Sequence, residues 1–329
     1  MNECRVCGCI GIHPHFQPQE RMFGWGDKFE YFKCEECGCL QIGAPPNDLP
    51  RYYPANYYSL SNQTASLPST FNRWINRKRL QFRLTGNGAI FERLIWRFNP
   101  LAHAIHKVVP YLKHVPQIQC DSRFLDIGCG EHSEWLGSAA QLGFTKLTGV
   151  DPFLKNPGIR HGIRYTNAPL KDLQGEFDLI TLHHSLEHIP DQHDTLRQIH
   201  RLLVSGGTCI IRIPIVDSLV WNMYGLDWVE LDAPRHLYLH TKTSLATLAE
   251  SHGFKLTHTL FDSTEFEFAG SELYRRGIAL TSPESFWVNP KSSYFSTGQM
   301  AAFRQQANAA NISGESGRAA FFLNKPDTP

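Results

Sequence analysis

The run Phe124-Leu125-Asp126-Ile127-Gly128-Cys129-Gly130-Glu131-His132 constrains this chain more than any other stretch. A short apolar segment ends in an acid, a Gly-x-Gly turn follows, and Ser133–Leu142 then reads as a helix. Glycines at such a turn let a ligand approach the backbone closely, and the strand-end acid can accept a charged or polar group. Twenty-one residues after Gly130, a second apolar run, Thr148-Gly149-Val150, ends in Asp151-Pro152. A carboxylate there is placed to take both hydroxyls of a ribose. Strand, acid, glycine turn, helix, strand and acid together require a parallel βαβ unit with its ligand at the strand ends.

The same texture continues to the end of the chain. Arg123–Ile127, Lys146–Val150, Phe177–Leu182, Thr208–Ile213, Lys255–Phe261 and Ala319–Leu323 read as strands, with Ile163–Tyr165 a weaker seventh. Helical patterns at Ser133–Leu142, Asp191–Leu203 and Thr243–His252 lie between them. This alternation places the region in the α/β class, a mostly parallel sheet with helices on both faces. A hydrophobic content of 42% supports a real core and excludes overall disorder. Thirty-two Lys and Arg against 31 Asp and Glu leave a charge of +1, so no global field draws in nucleic acid, and none is expected as a partner.

Cysteine is unevenly spread, with six of the nine in the first 39 residues. Met-Asn-Glu-Cys-Arg-Val-Cys carries no apolar leader segment, and no run approaches the ~18 apolar residues of a membrane span. A cytoplasmic, reducing setting is therefore expected, where clustered thiols hold metal rather than bridge each other. Cys4-Arg5-Val6-Cys7-Gly8 and Cys34-Glu35-Glu36-Cys37-Gly38 are matching CxxCG units. Cys4, Cys7, Cys34 and Cys37 are the expected ligands of one structural Zn²⁺, held at about 2.3 Å per bond. Cys9 and Cys39 extend both units and are read as bystanders. A closed four-thiolate shell has no open position, so this metal folds its module and does no chemistry.

Residues 1–45 thus form a zinc-ribbon-like module, and 46–119 a Pro- and Tyr-rich linker followed by a basic helical lid. The segment 70–114 holds nine Lys and Arg against the single acid Glu92. It reads as a solvated face, as a clamp for an anionic acceptor, or as a surface for anionic lipid. Residues 120–329 form the α/β domain.

Two cofactors compete for the glycine turn. A dinucleotide asks for a third glycine where Ser133 stands, and Glu131 at the helix start repels a pyrophosphate. S-adenosylmethionine has no phosphate, and its ammonium suits Asp126. Leu125–Gly130, the strand-end Asp151 and the run Phe177–Ile189 resemble class I S-adenosylmethionine-dependent methyltransferases. Leu202-Leu203-Val204-Ser205-Gly206-Gly207-Thr208 is similar to the family's turn before the fifth strand. Pro234-Arg235-His236-Leu237 and Glu250-Ser251-His252-Gly253-Phe254 are similar to its later landmarks. The paired cysteine units resemble a subset that carries a zinc-binding head. The resemblance implies a Rossmann-like sheet of seven strands, the last antiparallel, with S-adenosylmethionine as cofactor. It implies that Asp126 and the Gly128, Cys129 and Gly130 backbone hold the methionine moiety. Asp151, with Pro152 beside it, takes the ribose, and His183 flanks the cofactor. His132 stands where many members have a third glycine, so it too borders this pocket.

Methyl transfer from a sulfonium is an in-line displacement, and a hydroxyl acceptor also needs a base. His184, Glu187 and His188 follow the fourth strand, and His236, Tyr238 and His240 lie in the insertion after the fifth. His184, His188 and His236 are the candidate catalytic groups. A catalytic cation is not expected, because His184 stands where a Glu-x-x-Glu-His pattern needs its first glutamate. Trp221, Tyr224, Trp228, Tyr274 and Trp287 are available to stack on a ring, and most of them read as core. The expected acceptor is a small molecule, anionic or sugar-linked, methylated on a hydroxyl of a sugar, glycan precursor or secondary metabolite. Carbon methylation of a nucleotide-linked sugar and a non-catalytic zinc-headed module are the alternatives.

Overall fold

The computed structural model describes residues 1–54, 74–80, 102–289 and 294–327. Short strands open the chain: β1 (Asn2–Glu3), β2 (Ile10–Gly11), β3 (His15–Phe16), β4 (Tyr31–Lys33) and β5 (Leu40–Ile42). Helix α1 (74–80) and α2 (Ala102–Leu112) follow. The α/β domain runs β6 (Arg123–Ile127), α3 (Glu134–Gln141), β7 (Lys146–Val150), β8 (Gly158–Arg160), β9 (Ile163–Thr166) and β10 (Phe177–His183). It continues through α4 (Gln192–Leu202), β11 (Leu203–Pro214), α5 (Leu219–Tyr224), β12 (Tyr238–Leu239) and α6 (Lys242–Glu250). It closes with β13 (Lys255–Phe261), α7 (Glu265–Arg275), α8 (Thr297–Ser313) and β14 (Arg318–Asn324).

One eight-stranded sheet has the order β13-β14-β11-β10-β6-β7-β9-β8. β9, β7, β6, β10 and β11 are parallel, and β14 runs antiparallel between β11 and β13. The central strands are apolar on both faces: Cys209, Ile210, Ile211 and Ile213 of β11 are fully buried, as a sheet covered by helices requires. All seven expected strands are present. The eighth, β8, has an exposed Ile159 and only three residues, too little pattern to signal a strand. It folds back on β9 through His161-Gly162, both at positive φ, the conformation of a tight hairpin turn.

Polar side chains set the helix starts. Ser133, Asp191 and Thr241 cap α3, α4 and α6, each accepting a backbone N–H of the first turn. Helix α1 docks against the end of α3, where Asn76 donates to the Gln141 carbonyl (2.7 Å) and Arg77 to that of Gly143 (3.0 Å). Arg73, Arg83, Arg93 and Arg97 of the basic segment lie outside the described residues, as do Tyr57 and Tyr58 of the linker. No helix among the described residues is long and apolar enough to cross a membrane.

The N-terminal module does not stand apart. Its sheet has the order β12-β5-β4-β3, and β12 comes from the segment after the fifth parallel strand, paired to β5 at Tyr238–Gln41 and Leu239–Leu40. Tyr31 Oη donates to the His236 carbonyl (2.8 Å), Ile42 N to that of Leu237 (3.0 Å) and Thr241 Oγ1 to that of Cys37 (2.6 Å). Arg235 closes the join. Its guanidinium reaches Glu20 of the head (2.8 Å), Asp232 (2.6 Å) and the Tyr52 carbonyl (3.2 Å), and both Arg235 and Glu20 are fully buried. Removing one member of a buried ion pair strands the others. Arg235→Met is expected to cost about 3–5 kcal/mol in urea unfolding. A loss below about 1 kcal/mol would mean that the tie contributes little.

Candidate functional site

The strand ends of β6 and β7 form a crevice through backbone and carboxylate contacts. Gly128 and Gly130 have φ of 74° and 61°, a conformation that excludes most side chains. A Cβ at Gly128 would lie 2.3 Å from Ser185 Oγ, so glycine is required sterically as well. Asp151 accepts from Gly130 N (2.9 Å) and Phe153 N (2.8 Å), tying the end of β7 to the turn. Asp126 is buried, and its two oxygens accept the hydroxyls of Thr181 (2.7 Å) and Ser133 (2.6 Å). Burial pushes its pKa up to about 6. Cys129 is buried with its Sγ beside Gly149, Pro152 is exposed, and His132 is half-buried. Glu131 accepts from Lys155 N (2.5 Å) and so fixes the loop after Asp151. His183 ends β10 between Trp135 (ring centroids 4.7 Å) and Tyr111 (5.7 Å), its Nε2 without a hydrogen-bond partner among the described residues.

Beyond β10 the chain turns sharply. His184 adopts φ 52°, rare for a residue with a side chain, and Arg212 donates to its Nε2 (2.7 Å). That contact puts the imidazole proton on Nδ1, which lies 3.4 Å from Glu187 Oε1 without hydrogen-bond alignment. Arg212 is in turn held by Asp262 (2.5 Å), which also accepts from Tyr111 of α2. Glu187 is fully buried, its pKa raised to about 8 by burial, and neither oxygen has a hydrogen-bond partner among the described residues. His188 and His236 stand beside it, their rings 4.8 Å apart. Burial lowers the His188 pKa to about 3.

A cavity of about 240 Å³ opens beside this cluster. Met22 of the head, Phe266, Leu280 and Trp287 give it an apolar, partly aromatic wall. His184, Glu230, Asp232, His236 and Arg318 give it an ionisable one, in which Arg318 pairs with Glu230. His188 is not part of that lining. Tyr238 and His240 point elsewhere: Tyr238 donates to the Pro190 carbonyl (2.8 Å), and His240 spends both ring nitrogens on Ser244 and Gln192 (2.9 Å each). Of the aromatic candidates, Tyr274 and Trp287 reach the cavity, whereas Trp228 is fully buried core.

The cysteine units fold as two matching knuckles. Gly8 N and Gly38 N donate to the Cys4 and Cys34 carbonyls, and both glycines have φ 74°. The Sγ atoms of Cys4, Cys7, Cys34 and Cys37 lie within 4.8 Å of one another, at 3.6 Å for Cys4–Cys37 and 3.7 Å for Cys7–Cys34. A tetrahedron with bonds of about 2.3 Å has edges of about 3.8 Å, so the four thiols fit a zinc ion. Cys9, His13 and Cys34 also approach one another, whereas Cys39 Sγ faces the Leu40 carbonyl.

A family model described as a methyltransferase domain matches residues 94–259, half of the chain. The chain belongs to the methyltransferase-domain family. A ubiquinone biosynthesis O-methyltransferase of Bordetella avium is 27% identical over 179 residues, 48% of this chain and 72% of that protein. A demethylmenaquinone methyltransferase of Staphylococcus epidermidis is 29% identical over 147 residues, 37% of this chain and 57% of that protein, less than two thirds of its length. A solved phosphoethanolamine N-methyltransferase 2 of Haemonchus contortus, in complex with S-adenosyl-L-methionine, is 18% identical at a TM-score of 0.41, covering 67% of this chain and 52% of that one.

In this S-adenosylmethionine-dependent methyltransferase, the crevice residues named from sequence gather at the ends of β6, β7 and β10. His184, His188 and His236 gather around Glu187. The sequence offered no signal for Arg212, Asp262, Glu230 or Arg318, which come together only through strand order. Arg212 and Arg318 lie on paired strands, β11 and β14, where Arg212 faces Ala320 and Arg318 faces Pro214, more than a hundred residues apart in sequence. Asp151→Ala removes two backbone contacts at the turn and is expected to weaken S-adenosylmethionine binding by about 1–3 kcal/mol in calorimetry. Wild-type affinity in that variant would place the cofactor elsewhere.

Proposed function

We propose that this methyltransferase acts on a hydroxyl of a small polyhydroxylated ring, a sugar or glycan precursor, seated in the cavity between Trp287 and His236. The cavity carries this reading: one wall suits the apolar face of a ring, and the other supplies acids and imidazoles to its hydroxyl rim. The names of the O-methylating relatives support an oxygen acceptor. In this reading Asp126 and the Gly128, Cys129 and Gly130 backbone hold the methionine end of S-adenosylmethionine, and Asp151 with Pro152 the ribose. His132 and His183 border the cofactor. A zinc ion in the Cys4, Cys7, Cys34 and Cys37 set holds the head.

The cofactor supplies an electrophilic methyl on a sulfonium. The acceptor oxygen attacks that carbon in line, the O–C bond forms, the C–S bond breaks, and sulfur becomes neutral. The hydroxyl proton must leave. His236 is the best placed of the three histidines, because its side chain lines the cavity, with Nδ1 committed to the Glu230 carbonyl (2.6 Å) and Nε2 3.9 Å from Asp232 Oδ2. His184 already accepts from Arg212, and His188 lies behind.

Transfer of a labelled methyl from S-adenosylmethionine to polyhydroxylated acceptors tests the reading. Trp287→Ala is expected to raise the acceptor KM about tenfold with cofactor affinity unchanged, as loss of an aromatic stacking contact with the ring would. Equal KM values would move the acceptor out of this cavity. Asp126 adds a pH dependence. Its carboxylate is charged above about 6, and only the charged form attracts the cofactor's ammonium. Cofactor affinity is therefore expected to fall about tenfold per pH unit below that value and to level off above it. A flat profile across the range would remove Asp126 from the ammonium site.

A further inference from the structure

We propose that Arg318 is a positioning residue that keeps His236 in the tautomer able to act as a base, by pinning Glu230, an inference that rests on His236 taking the acceptor proton. The neutral imidazole has two places for its own proton. Nδ1 lies 2.6 Å from the Glu230 carbonyl, and Nε2 lies 3.9 Å from Asp232 Oδ2. With the proton on Nδ1, Nε2 keeps its lone pair for the hydroxyl proton. With the proton on Nε2, drawn toward the Asp232 carboxylate, that lone pair is lost and the ring is no base for the cavity. The placement of one carbonyl oxygen therefore decides between an active and an inactive ring.

That carbonyl belongs to a turn that does not hold itself. A single helical turn, Val229–Leu231, runs into Asp232 at φ 37°, a left-handed conformation that a side chain disfavours. Such a residue persists only where its surroundings over-determine it. Two guanidiniums do so here. On one side Arg235 Nε donates to both carboxylate oxygens of Asp232 (3.0 and 2.9 Å). On the other, Arg318 of β14 donates through Nη2 to Glu230 Oε1. Val229 N adds a tie to Ser271 Oγ of α7 (3.0 Å).

The charges around Arg318 leave Glu230 as its partner. Both residues are buried, and Arg318 Nε has no hydrogen-bond partner among the described residues. Three carboxylates act on the guanidinium: Glu230, Glu267 and Asp262. Asp262 is already held by Arg212 (2.5 Å). Glu267 is fully buried, with neither oxygen hydrogen-bonded among the described residues, and burial pushes its pKa up to about 8. It therefore keeps its proton at neutral pH, and the Glu230 carboxylate balances Arg318. A buried charge gives up such a partner only at high cost, so the pin is firm.

Nitrogen NMR of the full-length chain, labelled at histidine, reads the tautomer directly, with the His236 signals assigned by their absence in His236→Gln. Wild type is expected to carry the proton on Nδ1. Arg318→Met combined with Glu230→Met removes the pin and strands no charge. In it the Nε2–H form is expected to become the major one. The kcat for labelled methyl transfer is expected to fall at least about tenfold with S-adenosylmethionine affinity unchanged, since a positioned base is worth roughly 10²–10⁴-fold. Glu230→Gln, the milder change that keeps the packing, is expected to show a mixture of the two forms. A merely structural role would lower stability and leave the tautomer of the folded molecules as it is. An unchanged His236 tautomer in either variant overturns the proposal, as does Nε2–H in the wild type. A tautomer that follows the Arg318–Glu230 pair while His236→Gln keeps full kcat leaves the positioning standing and removes His236 as the base.

Discussion

A guanidinium buried with two carboxylates holds the cavity side of this protein together. Arg235 has no exposure to water, and such a charge persists in the interior only with close, well-aligned partners. Those partners come from both parts of the chain: Glu20 from the cysteine-rich head, Asp232 from the segment that carries His236. Asp232 keeps its carboxyl charged despite burial, chiefly against desolvation, through Arg235 beside it. The ion cluster, the β5–β12 pairing and the Tyr31 bond to the His236 carbonyl act on one short segment. The head is therefore part of the wall of the cavity, to which it contributes Met22 directly.

The opposite side of the site depends on the backbone. Asp151 reaches across from β7 to the amide of Gly130, and Asp126 gathers hydroxyls from Ser133 and Thr181, so three strands and a helix cap share one polar knot. Ser133 serves twice, capping α3 through Leu136 N and donating to Asp126. Little of this knot touches the head. The two sides meet at the end of β10, where His183 packs against Trp135 and Tyr111 and His184 lines the cavity.

Local signals explain what was legible in the sequence. Glycine at positive φ, an acid closing an apolar run, and Ser, Asp or Thr before a helix are rules written within a few residues, and they located β6, β7, α3, α4 and the crevice. β8 escaped because three residues on an exposed sheet edge carry no burial pattern. The cavity escaped because its ionisable wall joins residues of β14, the 228–236 segment and the end of β10, which only strand order brings together. The cysteine spacing foretold the four-thiol cluster but not the pairing of the head's sheet with Tyr238 and Leu239, since two-residue strands have no periodicity. His236 was found as a chemical candidate; its fixed tautomer depends on the carbonyl of Glu230, which no pattern announces.

The pairing and the ion cluster make the head and the 228–240 segment one mechanical unit, separate from the strand ends of β6 and β7. Hydrogen exchange on the full chain, with the head opened by Cys37→Ser or by strong chelation, tests this most directly. Exchange in 31–42 and 228–240 should rise together while 124–151 keeps its protection and still binds S-adenosylmethionine. Opening of 31–42 with 228–240 still protected would contradict the coupling, and with it the head's part in building the cavity wall.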